Sequence, residues 1–477
     1  MANSRRTGSA GTAGRGLMVQ FRGLRLHDDV PSMPKVPPGQ LWEDPNFDLH
    51  VAFPDPVIAQ RLKWKRPTEI SRNPQLYTDG TTRFDIGQGG AGTCWFLSIV
   101  ASIAKDDEIL KEVVPDDAYP IGTWAYRGVF HARFWRFGQW EDVYVDDRLP
   151  FDKRNRELWG AHSASDPNEF WVALLEKAFA KFHGSYDAVD GGDPSDAYLA
   201  MTGGVAETLD YDEDAQKTFS RIRNALKSGA IVAAGVPDKF NNKHGLIGSH
   251  AYSVTKTAVA KGKGVSLIRI LNPWGKSEWT GPWSDKSREW EGVSNSKELR
   301  TVNDEGEFWI CLKDFMHYFY HTTVCSLTPD FDQDGVPDSL ECVANFYGAW
   351  RGETAAGCYN KLKNPRFQFT VPTSGSAKVP VVVQFIMKRE PNEANTFLTR
   401  CDIFKLLDQT SRNAVRILGE ETNKYSYQNQ TTFRHELSAG VYFIIPSTME
   451  PGQEKSFLIR VFSSVFRGNV SAYQRGL

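Results

Sequence analysis

The sequence predicts an α+β protein in which a helical lobe and a β-rich lobe are followed by an antiparallel all-β sandwich. Three changes of pattern along the chain support this prediction. Apolar residues recur at helical spacing between Cys94 and Phe182, short β-rich runs begin after Gly203, and strand-like runs separated by Gly, Pro and Asn continue from Ala344 onward. At roughly 150 residues per domain, a chain of 477 residues has room for about three such units.

The domain boundaries follow from these changes in composition. We predict a disordered N-terminal tail, a helical lobe, a β-lobe, an acidic linker and a sandwich domain, over residues 1–41, 42–202, 203–328, 329–343 and 344–477. The tail is rich in Gly, Ser, Arg and Pro, a composition that cannot build a core. The amphipathic segment from Asn168 to Gly184 stops at a glycine, which is a common helix end.

Composition narrows the class of protein. The formal net charge of −2 gives no bulk attraction to nucleic acid, and no apolar run approaches the ~20 residues of a membrane span. No cysteine pair has C-x-x-C spacing, which argues against a zinc site, and no secretory signal is present, so we expect reduced thiols and a cytoplasmic location. The six cysteines are Cys94, Cys311, Cys325, Cys342, Cys358 and Cys401.

The segment "QGGAGTCWFLSIVASIA", residues 88–104, places one cysteine at the start of an apolar helix, after a glycine-rich turn. The free N–H groups and dipole at a helix N-terminus stabilise a thiolate, and the same N–H groups can stabilise an oxyanion. Gln88, six residues upstream of Cys94, can return an amide donor to the same point. The alternative is that Cys94 is a small core residue.

A second segment, residues 248–275, predicts a β-hairpin with its turn at residues 261–264. If Thr257 faces Val265, His250 lies opposite Asn272. The amide oxygen can then accept a hydrogen bond from one ring nitrogen and leave the other free to act as a base. A cysteine, an upstream glutamine, a histidine and a later asparagine together match the logic of papain-like nucleophiles.

The same residues lie in segments that resemble the calpains, the calcium-dependent cysteine proteases. "DGTTRFDIGQGGAGTCW", "EFWVALLEKAFAK", "GSHAYSVTKT" and "LNPWGKSEWTGPWSD" resemble calpain core segments in family order, and "GAWRGETAAGC" and "GVYFIIPSTMEPGQEKSFLIRVFS" resemble the family's β-sandwich domain. The resemblance covers roughly residues 42 to 475. It implies a two-lobed papain-like core followed by a calpain-type sandwich.

The resemblance also assigns roles. It implies that Cys94 is the nucleophile, His250 the general base, Asn272 the residue that orients the base and Gln88 part of the oxyanion hole. Trp274 matches a tryptophan beside the cleft. One departure is Thr93, which stands where the family usually has Asp.

Two calcium sites are implied in the same way, one in each lobe. The residues that match the family's ligands are Thr78, Gly80, Asp85 and Glu169 in the first lobe, and Glu278, Asp285, Asn303, Glu305 and Glu307 in the second. Oxygen-rich sets of this kind suit a hard cation. The resemblance further implies an ion pair between Arg83 and Glu307 across the lobes.

A third candidate calcium site is the acidic linker "DFDQDGVPDSLE". Its acids at positions 1, 3, 5, 9 and 12 of the loop are Asp330, Asp332, Asp334, Asp338 and Glu341, with Gly335 at position 6. Pro337 and the absence of a preceding helix argue against an EF-hand. The alternative is a solvated acidic linker.

The expected function is a calcium-activated intracellular endopeptidase acting on polypeptides, with Ca²⁺ as cofactor. Two rivals stay open: a catalytically silent calpain-like scaffold, and a calcium- or phospholipid-responsive binding module that contacts phospholipid through the sandwich. The chain stops after the sandwich, where conventional calpains continue into a penta-EF-hand domain that pairs with a small regulatory subunit. We therefore do not expect that subunit as a partner, nor nucleic acid.

Overall fold

The computed structural model describes residues 33–78, 80–81, 85–209, 211–275, 277–300, 306–328, 330, 333–336, 342–373, 378–393, 397–407, 414–417, 425–463 and 473–474. Residues 1–32 of the tail that we predict to be disordered therefore lie outside the described residues. Within these ranges, no helix combines the length and the apolar character needed to cross a bilayer. The α-helices α1 to α10 are Leu49–Ala52, Pro56–Arg61, Pro67–Ile70, Cys94–Ile103, Asp107–Val113, Trp171–His183, Pro194–Thr202, Ala215–Lys227, Ser296–Leu299 and Leu312–Tyr318.

The described strands belong to sheets of six, five, four and three strands and to two two-stranded pairs. Strands β1 to β13, in the two lobes, are Leu62–Lys65, Ile86–Gly87, Val129–Arg136, Gln139–Asp146, Leu149–Asp152, Glu157–Leu158, His162–Ser163, Val205–Leu209, Ile231–Val236, His250–Ala260, Val265–Leu271, Glu307–Cys311 and His321–Ser326. Strands β14 to β22, in the sandwich, are Cys342–Trp350, Phe367–Val371, Val379–Met387, Thr399–Leu406, Ala414–Ile417, Gln430–Leu437, Gly440–Thr448, Lys455–Ser463 and Tyr473–Gln474.

The helical lobe is built around α4, which is buried along almost its whole length. It packs against α7, and its aromatic residues contact those of α6. Phe96 of α4 and Phe179 of α6 stack with ring centroids 4.0 Å apart. Because α4 has no polar face, its first residue, Cys94, is held rigidly at the edge of this core.

The β-lobe is a six-stranded antiparallel sheet in the order β12-β11-β10-β9-β13-β8. Strand β10 packs against α4 of the helical lobe. Ser253 Oγ on β10 donates to the carbonyl oxygen of Ser98 on α4 at 2.8 Å. The strand that begins at His250 is therefore fixed to the helix that begins at Cys94.

The β10–β11 hairpin exists as predicted, but the predicted register is wrong. Thr257 pairs with Ile268 instead of Val265, and Ala260 and Val265 form the pair next to the turn. A register shift of three residues would place His250 and Asn272 on opposite faces of the sheet.

A β-bulge reverses this effect. Thr255 is an extra residue between Val254, which pairs with Ile270, and Lys256, which pairs with Arg269. The bulge shifts the register by one residue and so returns His250 and Asn272 to the same face.

The C-terminal region forms the predicted antiparallel sandwich. One sheet has the order β14-β21-β16-β19 and the other β18-β17-β20-β15-β22. Inward-facing residues of both sheets form one separate apolar core that includes Trp350, Phe385 and Phe457. The α+β core followed by an all-β domain is therefore confirmed.

Candidate active site

The nucleophile candidate lies at a tightly built turn. Cys94 is the first residue of α4 and is half-buried. Two residues earlier, the Gly92 N–H donates to Asp190 Oδ1 at 2.9 Å, and the Gly92 carbonyl accepts from the Gly191 N–H at 2.9 Å. A Cβ on Gly92 would lie 2.4 Å from Asp190 Oδ1, so this close approach requires glycine.

The electrostatic setting of the thiol differs from the expectation. Burial raises the pKa of Cys94, and hydrogen bonds from the backbone of Ala251, Trp95 and Cys94 itself oppose that rise without overcoming it. The helix N-terminus was expected to favour the thiolate, but in this conformation loss of water outweighs the local donors. The thiol is therefore protonated here near neutral pH.

His250 and Asn272 are brought together as predicted from the sequence. His250 Nε2 lies 2.8 Å from Asn272 Oδ1. The same oxygen accepts from the Trp274 N–H at 3.1 Å, and Asn272 Nδ2 donates to the Ser277 carbonyl at 3.1 Å. These partners fix the amide orientation, so Nε2 carries the proton and Nδ1 is left as the basic nitrogen.

The imidazole lies in an enclosed aromatic setting. The ring of Tyr252 has its centroid 4.9 Å away and that of Trp274 lies 5.0 Å away. Burial lowers the pKa of His250 to about 4, partly offset by the bond to Asn272. Ser249, the preceding residue, has φ +50°, a left-handed conformation that non-glycine residues adopt infrequently.

Gln88 has a different set of partners from those predicted. Its Nε2 donates to the Ala91 carbonyl at 2.8 Å, within its own turn. Its Oε1 accepts from the Trp274 indole N–H at 2.6 Å. Gln88 and Trp274 therefore link the two lobes directly, and the amide donor expected for an oxyanion hole is engaged elsewhere in this conformation.

Sequence reasoning missed one buried carboxylate beneath the nucleophile turn. Glu176 is 1% exposed, and its Oε1 accepts from the Thr93 hydroxyl at 2.6 Å while its Oε2 accepts from the Ala161 N–H at 2.7 Å. Burial raises the pKa of Glu176 to about 7, and the two hydrogen bonds limit that rise. The sequence offered one signal of this carboxylate, which was the threonine at position 93 where the family usually has Asp. A buried hydroxyl there needs a hydrogen-bond acceptor, and Glu176 provides it.

We expect Glu176 to make stability fall with rising pH. Its folded-state pKa of about 7 lies above the ordinary value of 4.5, so the folded state binds more protons between these values and loses stability as pH rises through them. Relative to Glu176→Gln, wild type should lose up to about 3 kcal/mol between pH 4.5 and 7.5. Urea unfolding of both proteins at the two pH values measures this, and an unchanged difference would contradict it.

The first set of calcium-ligand candidates is brought together. Glu169 Oε1 accepts from the Thr78 N–H at 3.1 Å and Oε2 from the Ser163 hydroxyl at 2.8 Å. Asp85 Oδ1 accepts from the Ser165 hydroxyl at 2.7 Å. Burial, with the nearby charge of Asp85, raises the pKa of Glu169. Gly80, with φ +86°, lies in the same loop as Thr78.

The second set is divided. Glu278 and Asp285 line one open depression of about 790 Å³, and Glu278 Oε1 accepts from the Gly306 N–H at 3.0 Å. Glu307 is instead held by Thr255 Oγ1 and by Arg269 Nη2, each at 2.6 Å. The predicted partner Arg83 and the candidates Asn303 and Glu305 lie outside the described residues.

The linker candidates are described in part. Asp330 Oδ2 accepts from the Gly335 N–H at 3.0 Å, and Asp334 Oδ1 accepts from the Val336 N–H at 2.6 Å. The structural description does not extend to Asp332, Asp338 and Glu341. In this conformation both described aspartates accept hydrogen bonds from backbone N–H groups of their own turn.

Among the described residues, no group of three or more His, Cys, Asp or Glu side chains surrounds a common metal position. The first set nevertheless fits a hard cation by its chemistry, because two buried carboxylates lie within each other's field amid oxygen donors. The second set fits less well, because Arg269 already neutralises Glu307.

Comparison with known proteins agrees with this geometry. Residues 42–326 match the model of the calpain family cysteine proteases, and residues 346–462 match that of domain III of the calpain large subunit. The chain is 36% identical to Calpain clp-1 of Caenorhabditis elegans over 466 residues, covering 90% of this chain and 59% of that protein. It is 37% identical to human Calpain-9 over 454 residues, covering 89% of this chain and 65% of that protein.

A third relative, the human Calpain-1 catalytic subunit, is 37% identical over 448 residues, covering 86% of this chain and 62% of that protein. The chain thus spans about three-fifths of the length of these three relatives. The core match alone takes in more than half of the chain, and the sandwich match follows it in order. This chain, an α+β core followed by an all-β domain, belongs to the calpain family of cysteine proteases.

Proposed function

We propose that this protein is a calcium-activated cytoplasmic cysteine endopeptidase that cleaves polypeptides in the cleft between its lobes. One observation carries the proposal: the His250–Asn272 hydrogen bond of 2.8 Å lies beside the Ala251 backbone, which contacts the Cys94 thiol. A silent scaffold or a binding module needs no imidazole held in a single tautomer beside a thiol at a helix N-terminus. Phospholipid contact through the sandwich stays a prediction.

The acylation step uses Cys94 and His250. The Cys94 sulfur transfers its proton to His250 Nδ1 and attacks the scissile carbonyl carbon, forming a tetrahedral oxyanion. As the C–N bond breaks, His250 returns the proton to the leaving amine, and a thioester with Cys94 remains. Asn272 accepts from Nε2 throughout and so holds the ring in the reactive orientation.

Deacylation follows the same path with water. His250 takes a proton from a water molecule that attacks the thioester carbonyl, and then returns it to the Cys94 sulfur as the carboxylate product leaves. The backbone N–H groups at the start of α4 stabilise the oxyanion in both steps. Gln88 joins them once its Nε2 leaves the Ala91 carbonyl, which requires the Gln88–Trp274 contact to rearrange.

The calcium requirement is proposed from the first set of ligand candidates. Bound Ca²⁺ supplies positive charge that offsets the mutual repulsion of the Asp85 and Glu169 carboxylates. Thr78 and Gly80 would hold it through their carbonyl oxygens, on the loop that precedes Gln88. Since Gln88 contacts Trp274 across the cleft, a change in this loop reaches the active site through that contact.

A casein-cleavage assay tests the proposal. We expect wild type to cleave casein with millimolar CaCl₂ and to lose at least about 100-fold in rate with excess EGTA, a shift that needs only about 3 kcal/mol of differential affinity. Asp85→Asn and Glu169→Gln should each raise the calcium concentration required by about tenfold. They should also reduce the rise in melting temperature that calcium produces.

The matched control is Glu157→Gln, which neutralises an exposed acid of the same lobe and should leave both readouts unchanged. Equal cleavage in CaCl₂ and EGTA would refute calcium activation while leaving the peptidase proposal intact. No cleavage under either condition would refute the peptidase proposal.

A further inference from the structure

The chain passes from the helical lobe to the β-lobe through two glycines. Gly203 ends α7 with φ +65°, and Gly204 leads directly into β8. A Cβ on Gly203 would lie 2.8 Å from the Trp135 ring, and one on Gly204 would lie 2.7 Å from the Ser326 carbonyl oxygen. This crossover, which we call the hinge, is therefore both conformationally special and tightly enclosed.

A buried arginine of the sandwich binds this hinge. Arg460 on β21 is 1% exposed, and its Nη1 donates to the carbonyl oxygen of Gly203 at 2.7 Å and of Gly204 at 3.3 Å. Nη1 also donates to Gln384 Oε1 at 3.0 Å, and Gln384 Nε2 reaches the Gly204 carbonyl at 3.4 Å. A cation at the C-terminal end of α7 is also favoured by the helix dipole.

The cost of burying this charge indicates that the position is specific. Burial lowers the pKa of Arg460 to about 9. The rings of Trp135 and Phe462 lie 5.3 and 4.8 Å from the guanidinium carbon, so apolar surface surrounds it. A buried cation is tolerated where good acceptors are fixed in place, and the hinge carbonyls are such acceptors.

Strand β19 of the same sheet, with the residue just before it, contacts both lobes on either side of the hinge. On the helical lobe, Gln430 Nε2 donates to the Ser195 carbonyl at 2.6 Å and Asn429 Nδ2 to Asp196 Oδ2 at 2.9 Å. On the β-lobe, Arg434 binds both carboxylate oxygens of Glu207, at 3.0 and 2.8 Å. The sandwich thus contacts the last helix before the hinge and the first strand after it.

We propose that Arg460 is a positioning residue for peptide cleavage, which clamps the hinge and so sets the angle between the lobe that carries Cys94 and the lobe that carries His250. The proposal rests on the proposed peptidase function. A misplacement of about 1 Å between reacting groups can cost roughly 100-fold in rate, so a small change of hinge angle is enough to act on catalysis. Arg460 touches neither substrate nor the reacting atoms and acts through the backbone of Gly203 and Gly204.

The test compares Arg460→Met, Arg460→Lys and the control Arg351→Met, which changes an exposed arginine of the same domain. With calcium and a short fluorogenic peptide, Arg460→Met should lower kcat by at least tenfold with less than a twofold change in KM. Arg460→Lys should recover part of kcat, because it can still donate to the hinge carbonyls. Arg351→Met should match wild type.

Hydrogen exchange followed by mass spectrometry gives a second readout that needs no activity. The Gly203 N–H donates to the Leu199 carbonyl and the Gly204 N–H to Thr202 Oγ1, so exchange over residues 199–209 should rise at least tenfold in Arg460→Met and less in Arg460→Lys. Wild-type kcat together with wild-type exchange in Arg460→Met would overturn the proposal. If wild type itself cleaves nothing, the peptidase function fails, and wild-type exchange at the hinge in Arg460→Met would still overturn the clamp.

Discussion

Replacing Cys94 by Ser should lower peptide cleavage by at least about 1,000-fold while the protein stays folded. The serine hydroxyl is smaller and far less acidic than the thiol, so transfer of its proton to the same imidazole costs much more free energy. The buried neighbours Trp95 and Phe96 are unchanged, so the melting temperature should move little. Casein cleavage in calcium, with circular dichroism for folding, measures both quantities.

The control makes the same exchange at another half-buried thiol. Cys311 lies at the end of β12, with its Sγ 3.2 Å from Asp314 Oδ2, far from the α4 turn in sequence. Cys311→Ser should retain wild-type cleavage. An epoxide that targets papain-like thiols should label Cys94 in wild type and in Cys311→Ser. Full activity in Cys94→Ser, or equal labelling of Cys311 and Cys94, would contradict the assignment.

Replacing Lys177 by Met should cost about 3–5 kcal/mol of unfolding free energy, the usual result of breaking a buried ion pair. Lys177 is fully buried, and its Nζ binds Asp146 Oδ1 at 2.7 Å and the carbonyls of Asp146 and Arg148 at 2.8 and 2.6 Å. Burial lowers the pKa of Lys177 and by itself would raise that of Asp146, but Lys177 and Arg148 bring the latter down to about 2.

Urea unfolding at pH 7 measures the loss, with Lys111→Met as the control. Lys111 forms an exposed ion pair with Asp116 at 3.5 Å in the same lobe, and such pairs contribute roughly 0–1 kcal/mol. The stabilisation that depends on ionised Asp146 is present above pH 3.8 and is lost as pH falls toward 2. At neutral pH, Lys177→Met should therefore show its full loss of unfolding free energy relative to Lys111→Met. Equal losses in both variants would show that the buried pair contributes no more than a surface pair.

The parts of the fold that could be predicted depend on local pattern. The apolar helix after Cys94, the hairpin turn at residues 261–264 and the alternating strands of the sandwich all follow from the spacing of apolar and turn residues. The pairing of His250 with Asn272 was predicted correctly from a register that is wrong. The β-bulge that compensates for the error leaves no recognisable signal in the sequence.

The parts that could not be predicted depend on contacts between distant segments. Glu176 lies 83 residues from Thr93, and Arg460 lies 257 residues from Gly203. In sequence each of these charged residues is indistinguishable from a solvated one, and burial alone gives it its role. The Gln88–Trp274 bond, which spans 186 residues, likewise depends on how the two lobes meet.

The bulge at Thr255 imposes a counting rule on insertions and deletions in the β10–β11 hairpin. Between His250 and Asn272, the two strands must keep an even offset for both side chains to share a face. Deleting the one bulge residue would keep the sheet yet turn the imidazole to the opposite side, whereas removing two residues from the turn at 261–264 would preserve the pairing. Length variants within the paired strands of this hairpin should therefore differ in steps of two residues, whereas the unpaired turn carries no such restriction.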